Sequence, residues 1–196
     1  VAGTDCTAVG VNAAGLNTAS GTTAIGSGAL DANTSGTGNV AMGQDALGAN
    51  ATGVNNTAVG HNALLVCTAN GNTAIGAFAA DALSSGGDNT AIGANAAGLL
   101  NTGGNNTAVG GAALANITGS DDCTAVGRSS LFNNTASSNT AVGASAADAN
   151  TSGTRNTAVG ADALGANATT SDHVAVGYQA LLLATGAGNT AVGSGA

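Results

Sequence analysis

The apolar positions of this chain recur in units of 16 or 17 residues, each reading Asn-Thr-Ala-Val-Gly, two variable residues and Ala-Leu. The glycine in the unit, hereafter the corner glycine, stands at positions 10, 26, 43, 60, 76, 93, 110, 127, 143, 160, 177 and 193. Twelve units therefore cover the chain. Self-similarity at such a period is typical of solenoids, in which each unit forms one coil and stacks on the next.

The strictest positions lie close to the corner glycine. The residue two before it is alanine in every unit, from Ala8 to Ala191, and the residue just before it is always Val, Ile or Met. The residue three after it is alanine except for Ser130, and the residue four after it is leucine or alanine. Where that last position holds alanine, a leucine often follows two or three residues later, as do Leu16, Leu83 and Leu99. This exchange predicts that core volume stays level from coil to coil.

Short strands joined by glycine and asparagine turns fit the unit better than helices, because repeated Gly, Asn, Thr and Ser carry helix penalties. We therefore predict an all-β fold, a parallel β-solenoid (β-roll) of about twelve 16–17-residue coils with two short strands per coil. The first strand is Asn-Thr-Ala-Val, the glycine turns a corner, and the second strand ends in Ala-Leu. Residues 1–196 form one repetitive domain, a rod about 55 Å long if coils stack at ~4.8 Å.

Both faces of each predicted strand are apolar. Neighbouring residues on a strand point to opposite faces, so either the alanine or the aliphatic residue beside it faces inward and the other faces outward. One apolar stripe would then run along the outside of a single chain. Contiguous stripes of this kind mark interfaces, so we expect lateral self-association.

Composition and charge narrow the choice of partners. The chain has 33 glycines, no proline, no tryptophan and a net charge of −8, with ten acidic residues, all aspartate, against Arg128 and Arg155. A nucleic-acid partner is not expected, since phosphate binding needs clustered Lys and Arg. The longest aliphatic runs have three residues, as at Leu181 to Leu183, far below the ~20 residues of a membrane span, so membrane insertion is not expected. Calcium is the alternative role for the aspartates, but the solenoid motif for it, Gly-Gly-x-Gly-x-Asp, is absent.

The residues that carry most enzyme chemistry are scarce. There is no glutamate and no lysine, and the two histidines, His61 and His173, lie 112 positions apart. His173 occupies a column that usually holds asparagine, which predicts a hydrogen-bonding turn residue, and His61 follows a corner glycine, where we expect it to be exposed. We predict no enzyme activity, no catalytic residues, no cofactor and no metal site.

Three cysteines, Cys6, Cys67 and Cys123, form an odd set. Cys6 and Cys123 occupy the same column seven coils apart, roughly 34 Å at the ladder spacing, which is too far for a disulfide. Free, buried thiols are the prediction, and disulfides between chains are the alternative.

Two columns of hydroxyl side chains raise the hypothesis of a water-binding face. One runs from Thr7 to Thr190 in the first strand with Val40 and Val174 substituted, and the other runs from Thr18 to Thr185. Such a face would bind ice or order surface water, but the paired Thr-x-Thr spacing is absent. The valine substitutions favour a partly buried column, in which Thr and Asn ladders stabilise the stack.

The unit, above all V-A-V-G-Y-Q-A-L at 174–181, resembles the repeats of phage tail-fibre proteins. It is similar, more distantly, to the S-V-A-I-G repeats in the heads of trimeric autotransporter adhesins. The resemblance covers essentially the whole chain and implies a left-handed parallel β-roll whose three chains pack about one axis, used in attachment at cell or virion surfaces. Coiled-coil heptads, a neck, a membrane-anchor barrel and a chaperone domain are not found in these residues.

The leading functional hypothesis is a structural or attachment protein of an extracellular or virion fibre. The expected partners are further copies of the chain, as a homotrimer or a head-to-tail filament, and a cell-surface receptor or glycan. The alternative is a filament subunit without a receptor, which the mid-unit ending NTAVGSGA allows, since open strand edges join end to end. A longer fibre of which this chain is a part explains the same ending. A solenoid that binds ice or glycans is the third class.

Overall fold

The chain is all-β in the computed structural model, which describes residues 3–196 and contains no helix in that range. Twelve three-residue strands run parallel in one sheet, in the order in which they occur in the sequence. They are β1 (Thr7–Val9), β2 (Thr23–Ile25), β3 (Val40–Met42), β4 (Thr57–Val59), β5 (Thr73–Ile75), β6 (Thr90–Ile92), β7 (Thr107–Val109), β8 (Thr124–Val126), β9 (Thr140–Val142), β10 (Thr157–Val159), β11 (Val174–Val176) and β12 (Thr190–Val192). The predicted fold class is confirmed, as a parallel β-solenoid of about 11 turns.

The strands stack in register, with like residues over like. Along β6 and β7, for example, Thr90 pairs with Thr107, Ala91 with Ala108 and Ile92 with Val109. The same threonine, alanine and aliphatic columns continue through all eleven strand pairs, with Val40 and Val174 in the threonine column. The 16- or 17-residue spacing of the sequence therefore corresponds to one complete turn of the solenoid.

The predicted second strand of each coil is wrong. The residues around Ala-Leu form a series of turns, in which the positions two and four after the corner glycine take left-handed backbone conformations, as at Asn62 (φ 57°) and Leu64 (φ 50°). These residues bend the chain too sharply for a strand. The coils remain hydrogen-bonded on this side, because the Leu64 N–H donates to the Ala79 carbonyl at 3.0 Å. We call this part of each coil the turn side.

The corner glycine is required for two independent reasons. Gly93 has a φ of 134°, a conformation that L side chains rarely adopt. A Cβ at this position would also lie 2.6 Å from the backbone carbonyl of Gly110 in the next coil. The repeated glycine is therefore a steric requirement of close stacking as well as of the corner.

The interior of the solenoid is narrow and is filled mainly by alanine. The central alanine is buried in β2 to β11, as are most alanines three positions after the corner glycine. Leucines at the next position complete the core, including Leu47 and Leu64. We expected a leucine two or three residues after a core alanine to supply the missing core volume. This expectation holds for Leu83, which is buried, but is wrong for Leu16 and Leu99, which are 64% and 54% exposed. Those two lie six positions after the corner glycine, where the side chain points outward.

No helix in the described part of the chain is long and apolar enough to cross a membrane.

Candidate interaction surface and the residues behind it

The outer face of the sheet carries a continuous column of aliphatic side chains. Because alanine fills the narrow interior, the residue after it must point outward. We call this set the aliphatic column: Val9, Ile25, Met42, Val59, Ile75, Ile92, Val109, Val126, Val142, Val159, Val176 and Val192. Its members within the stack are only partly covered by their neighbours, with Ile75 40% and Val176 36% exposed. At the spacing of stacked strands, the column is roughly 50 Å long.

A threonine column runs beside the aliphatic column on the same face, since the two positions lie two residues apart on each strand. Most of its members are half-buried between coils, as the valine substitutions indicated. Its hydroxyls make no hydrogen bond to protein in residues 3–196, so the expected hydroxyl ladder does not form here. The outer face therefore combines an apolar column with a row of hydroxyls that have no protein partner.

The second Ser/Thr column has a structural role. The hydroxyls of Thr34, Thr68, Thr135 and Thr151 each donate to a carbonyl of the next coil, at 2.7 to 3.0 Å. Because these hydroxyls are already paired, they are poorly suited to organising water or ice.

A ladder of buried asparagines connects the coils behind the sheet. Asn56 is typical: its Oδ1 accepts the backbone N–H of Asn72 at 2.9 Å, and its Nδ2 donates to the Ala69 carbonyl at 2.7 Å. The column that forms this asparagine ladder contains Asn39, Asn56, Asn72, Asn89, Asn106, Cys123, Asn139, Asn156 and His173, all buried. Each amide thus satisfies buried backbone groups of the next coil, so the predicted Asn ladder is confirmed.

His173 takes the place of an asparagine in this ladder, and the predicted hydrogen-bonding turn residue is confirmed. Its Nδ1 accepts the N–H of Asn189 at 3.2 Å, and its Nε2 lies 2.7 Å from the Thr170 hydroxyl oxygen. Since Nδ1 accepts, the ring carries its proton on Nε2. His61 is exposed, as expected, with its ring against the Phe78 ring edge-on at 4.9 Å between centroids. The structure does not bring the two histidines together into one site.

All three cysteines are free thiols. Cys67 and Cys123 are buried, as predicted, and burial raises the pKa of both. Cys6 departs from the prediction because it is partly exposed in the first coil. The Thr22 hydroxyl donates to its Sγ at 3.2 Å and thereby lowers the pKa of Cys6.

The charged side chains are scattered over the surface of the coils. Arg155 forms two hydrogen bonds with the carboxylate of Asp172 in the next coil, at 2.7 and 2.9 Å, while Arg128 is exposed. Desolvation raises the pKa of the half-buried Asp81 and Asp148. Across residues 3–196, no group of three or more His, Cys, Asp or Glu side chains is placed to hold a metal ion.

Comparison of the chain with known protein-family models found no matching family, and searches of curated proteins and of solved structures found no relative. The function is therefore inferred from the repeat sequence and from the geometry of the molecule.

Proposed function

We propose that the protein is a structural and attachment component of an extracellular or virion fibre. In this proposal, copies of the chain associate laterally through the outer face of the sheet. The observation that supports it is the unbroken aliphatic column, because a contiguous apolar stripe of this length is unusual on a chain that stays single in water. The resemblance of the repeat to tail-fibre and adhesin repeats supports three chains about one axis.

Covering the exposed part of the aliphatic column would release a free energy comparable with the cost of such an association. Full burial of a Val or Ile contributes about 1.5–3 kcal/mol. Inner members such as Ile92 and Val159 keep 37% of their surface exposed. Covering the remainder would add roughly 0.5–1 kcal/mol per coil, or roughly 6–12 kcal/mol along each chain. This sum is comparable with the ~4–15 kcal/mol cost of association, so the association needs most of the column.

The decisive measurement is the mass in solution, by light scattering coupled to size exclusion over a dilution series. We expect a discrete species of three chains that dissociates at low concentration. A ladder of lengths that grows with concentration would support the head-to-tail filament instead. A single chain at every concentration would contradict lateral association through this face.

A pair of matched variants tests which face is used. Ile75→Thr combined with Ile92→Thr keeps strand-favouring side chains but removes apolar surface from the column. We expect it to weaken association by about tenfold or more. Ala77→Gln combined with Ala94→Gln is the control, because Gln44 occupies the same outward position after a corner glycine. No weakening by the isoleucine pair would show that the association uses another face, and equal weakening by both pairs would contradict a specific role of the aliphatic column.

A further inference from the structure

A hollow opens on the turn side where one coil lacks a covering side chain. The position five after the corner glycine is occupied in successive coils by Gly15, Asp31, Gly48, Leu65, Asp81, Gly98, Ala115, Phe132, Asp148, Gly165 and Leu182. We call these residues the covering column, because a long side chain lies back over a glycine in the coil before it. A Cβ on Gly48 would meet the Leu65 Cδ1 at 3.5 Å, and one on Gly165 would meet the Leu182 Cδ1 at 3.3 Å.

Gly98 is the exception, because the next coil offers only Ala115. The three atoms nearest to a Cβ on Gly98 all belong to Asn95 of its own coil, at 3.3 to 3.8 Å, so no side chain of the next coil packs over it as closely as Leu65 packs over Gly48. The resulting hollow has a volume of about 410 Å³. It extends from Asp81 to Phe132, three coil steps or roughly 14 Å at the ladder spacing. These two longer side chains bound it, so it is a short depression and not a groove along the rod.

The lining of the hollow has an apolar part and a polar part. Gly98 and Ala115 are buried at its base, and Leu99 and Phe132 add exposed or half-exposed apolar surface. This part is an apolar patch that includes one aromatic ring.

Ala112 and three polar side chains, Asp81, Asn95 and Asn116, complete the lining. The Asn116 Nδ2 donates to the Asn133 Oδ1 at 3.0 Å, which holds that amide in place, and Asn95 makes no side-chain hydrogen bond within residues 3–196. A carboxylate and two amides together supply both acceptors and donors at a small number of points. Apolar surface with a few polar groups is the composition of small-ligand sites, and the volume falls within their range.

We propose that this hollow binds a neutral saccharide, one pyranose ring or a short end of a glycan. A pyranose presents a face of C–H groups that suits Leu99 and Phe132, and a rim of hydroxyls that both donate to a carboxylate and accept from an amide. An anionic sugar does not fit, since Asp81 lines the hollow and neither Arg128 nor Arg155 does. An extended peptide does not fit a depression that is bounded at both ends.

This site goes beyond the proposed fibre and is independent of it, because the hollow shares no residue with the aliphatic or threonine columns. A failure of sugar binding leaves the mass measurement unaffected, and a single-chain result leaves the hollow unaffected. The two proposals therefore fail separately.

The test is a titration of the ¹⁵N-labelled full chain with glucose, galactose, mannose and N-acetylglucosamine, followed by amide chemical shifts. We expect at least one of these sugars to shift the amides of Gly98, Ala115 and Asn116 with saturable, millimolar affinity. N-acetylneuraminic acid, which is anionic, should leave them unchanged.

Two leucine variants make the test specific. Ala115→Leu restores the covering side chain that Leu65 and Leu182 supply elsewhere, so it should fold and reduce binding by about tenfold or more. Ala166→Leu is the control, since Leu16 and Leu99 show that its outward position six after a corner glycine accepts leucine. The proposal is overturned if none of the neutral sugars shifts these amides, or if Ala115→Leu binds as tightly as the Ala166→Leu control.

Discussion

The asparagine ladder makes a quantitative prediction at Asn89, in the middle of the stack. The Asn89 Oδ1 accepts the backbone N–H of Asn106 at 2.9 Å, and its Nδ2 donates to the Gly103 carbonyl at 2.9 Å. In Asn89→Ala both backbone groups would stay buried without these partners. Each such loss costs about 1–3 kcal/mol, so we expect a loss of roughly 2–6 kcal/mol in the free energy of unfolding.

The matched control is Asn89→Cys, because the ladder naturally contains a cysteine. The Cys123 Sγ lies 3.3 Å from the Ala136 carbonyl, to which it donates, and the backbone N–H of Cys123 bonds to the Asn106 Oδ1 like any other member. A thiol is a weaker donor than an amide, but it still pairs with the carbonyl that alanine would leave without a partner. Asn89→Cys should therefore lose less stability than Asn89→Ala.

The assay is urea unfolding followed by circular dichroism, together with hydrogen exchange of the Asn106 amide. Exchange is included because repeat proteins open locally, and a single global transition need not report one coil. We expect the Asn106 amide to lose most of its protection in Asn89→Ala and less in Asn89→Cys. A loss below about 0.5 kcal/mol in Asn89→Ala, or equal losses in the two variants, would refute the structural role of the ladder.

Two further predictions concern close stacking and pH. Gly93→Ala should destabilise the chain strongly, because the new Cβ would lie 2.6 Å from the next coil's backbone at a φ of 134°. Gly111→Ala should be nearly neutral, because nothing lies within 4 Å of a Cβ at that position. Thermal unfolding of the two variants compares these effects. The raised pKa of Cys67 and Cys123 means that, above the ordinary thiol pKa, the unfolded chain releases protons that the folded chain retains. Stability is therefore full below that pKa and declines as pH rises through the folded-state values. Urea titrations between neutral and alkaline pH should show this decline, and it should weaken when both cysteines are replaced by serine.

The period of the glycines predicts the solenoid, but it does not decide in which direction the strand side chains point. Both alanine and its neighbour are apolar, so alternation alone cannot decide which faces inward. The deciding signal was variability. A position that accepts side chains of different length and branching, as Ile25, Met42 and Val59 show, does not lie in a narrow core, whereas the invariant alanine does.

The turn side was harder to read from the sequence. Asn, Asp and Gly recur two positions after the corner glycine, as at Asn12, Gly28 and Asp45, and these residues favour left-handed conformations. The left-handed turn at this position could therefore be predicted from the sequence. The left-handed leucines two positions later were not predictable from propensity, because packing of the leucine into the core overrides the local backbone preference. The hollow over Gly98 depends on which residue the next coil supplies, so it became visible only once the register was known.

In-register stacking also allows the length of the rod and the chemistry of its surface to evolve separately. Segments 31–52 and 148–169 are identical at all but four positions, and those four carry the residue before the asparagine ladder, the threonine and aliphatic columns and the residue after the corner glycine. In the structure, all four point away from the interior or lie at its surface. Whole coils can thus be duplicated without creating any new kind of internal contact. The genome can adjust length by copying and surface chemistry by point substitution, each without disturbing the other.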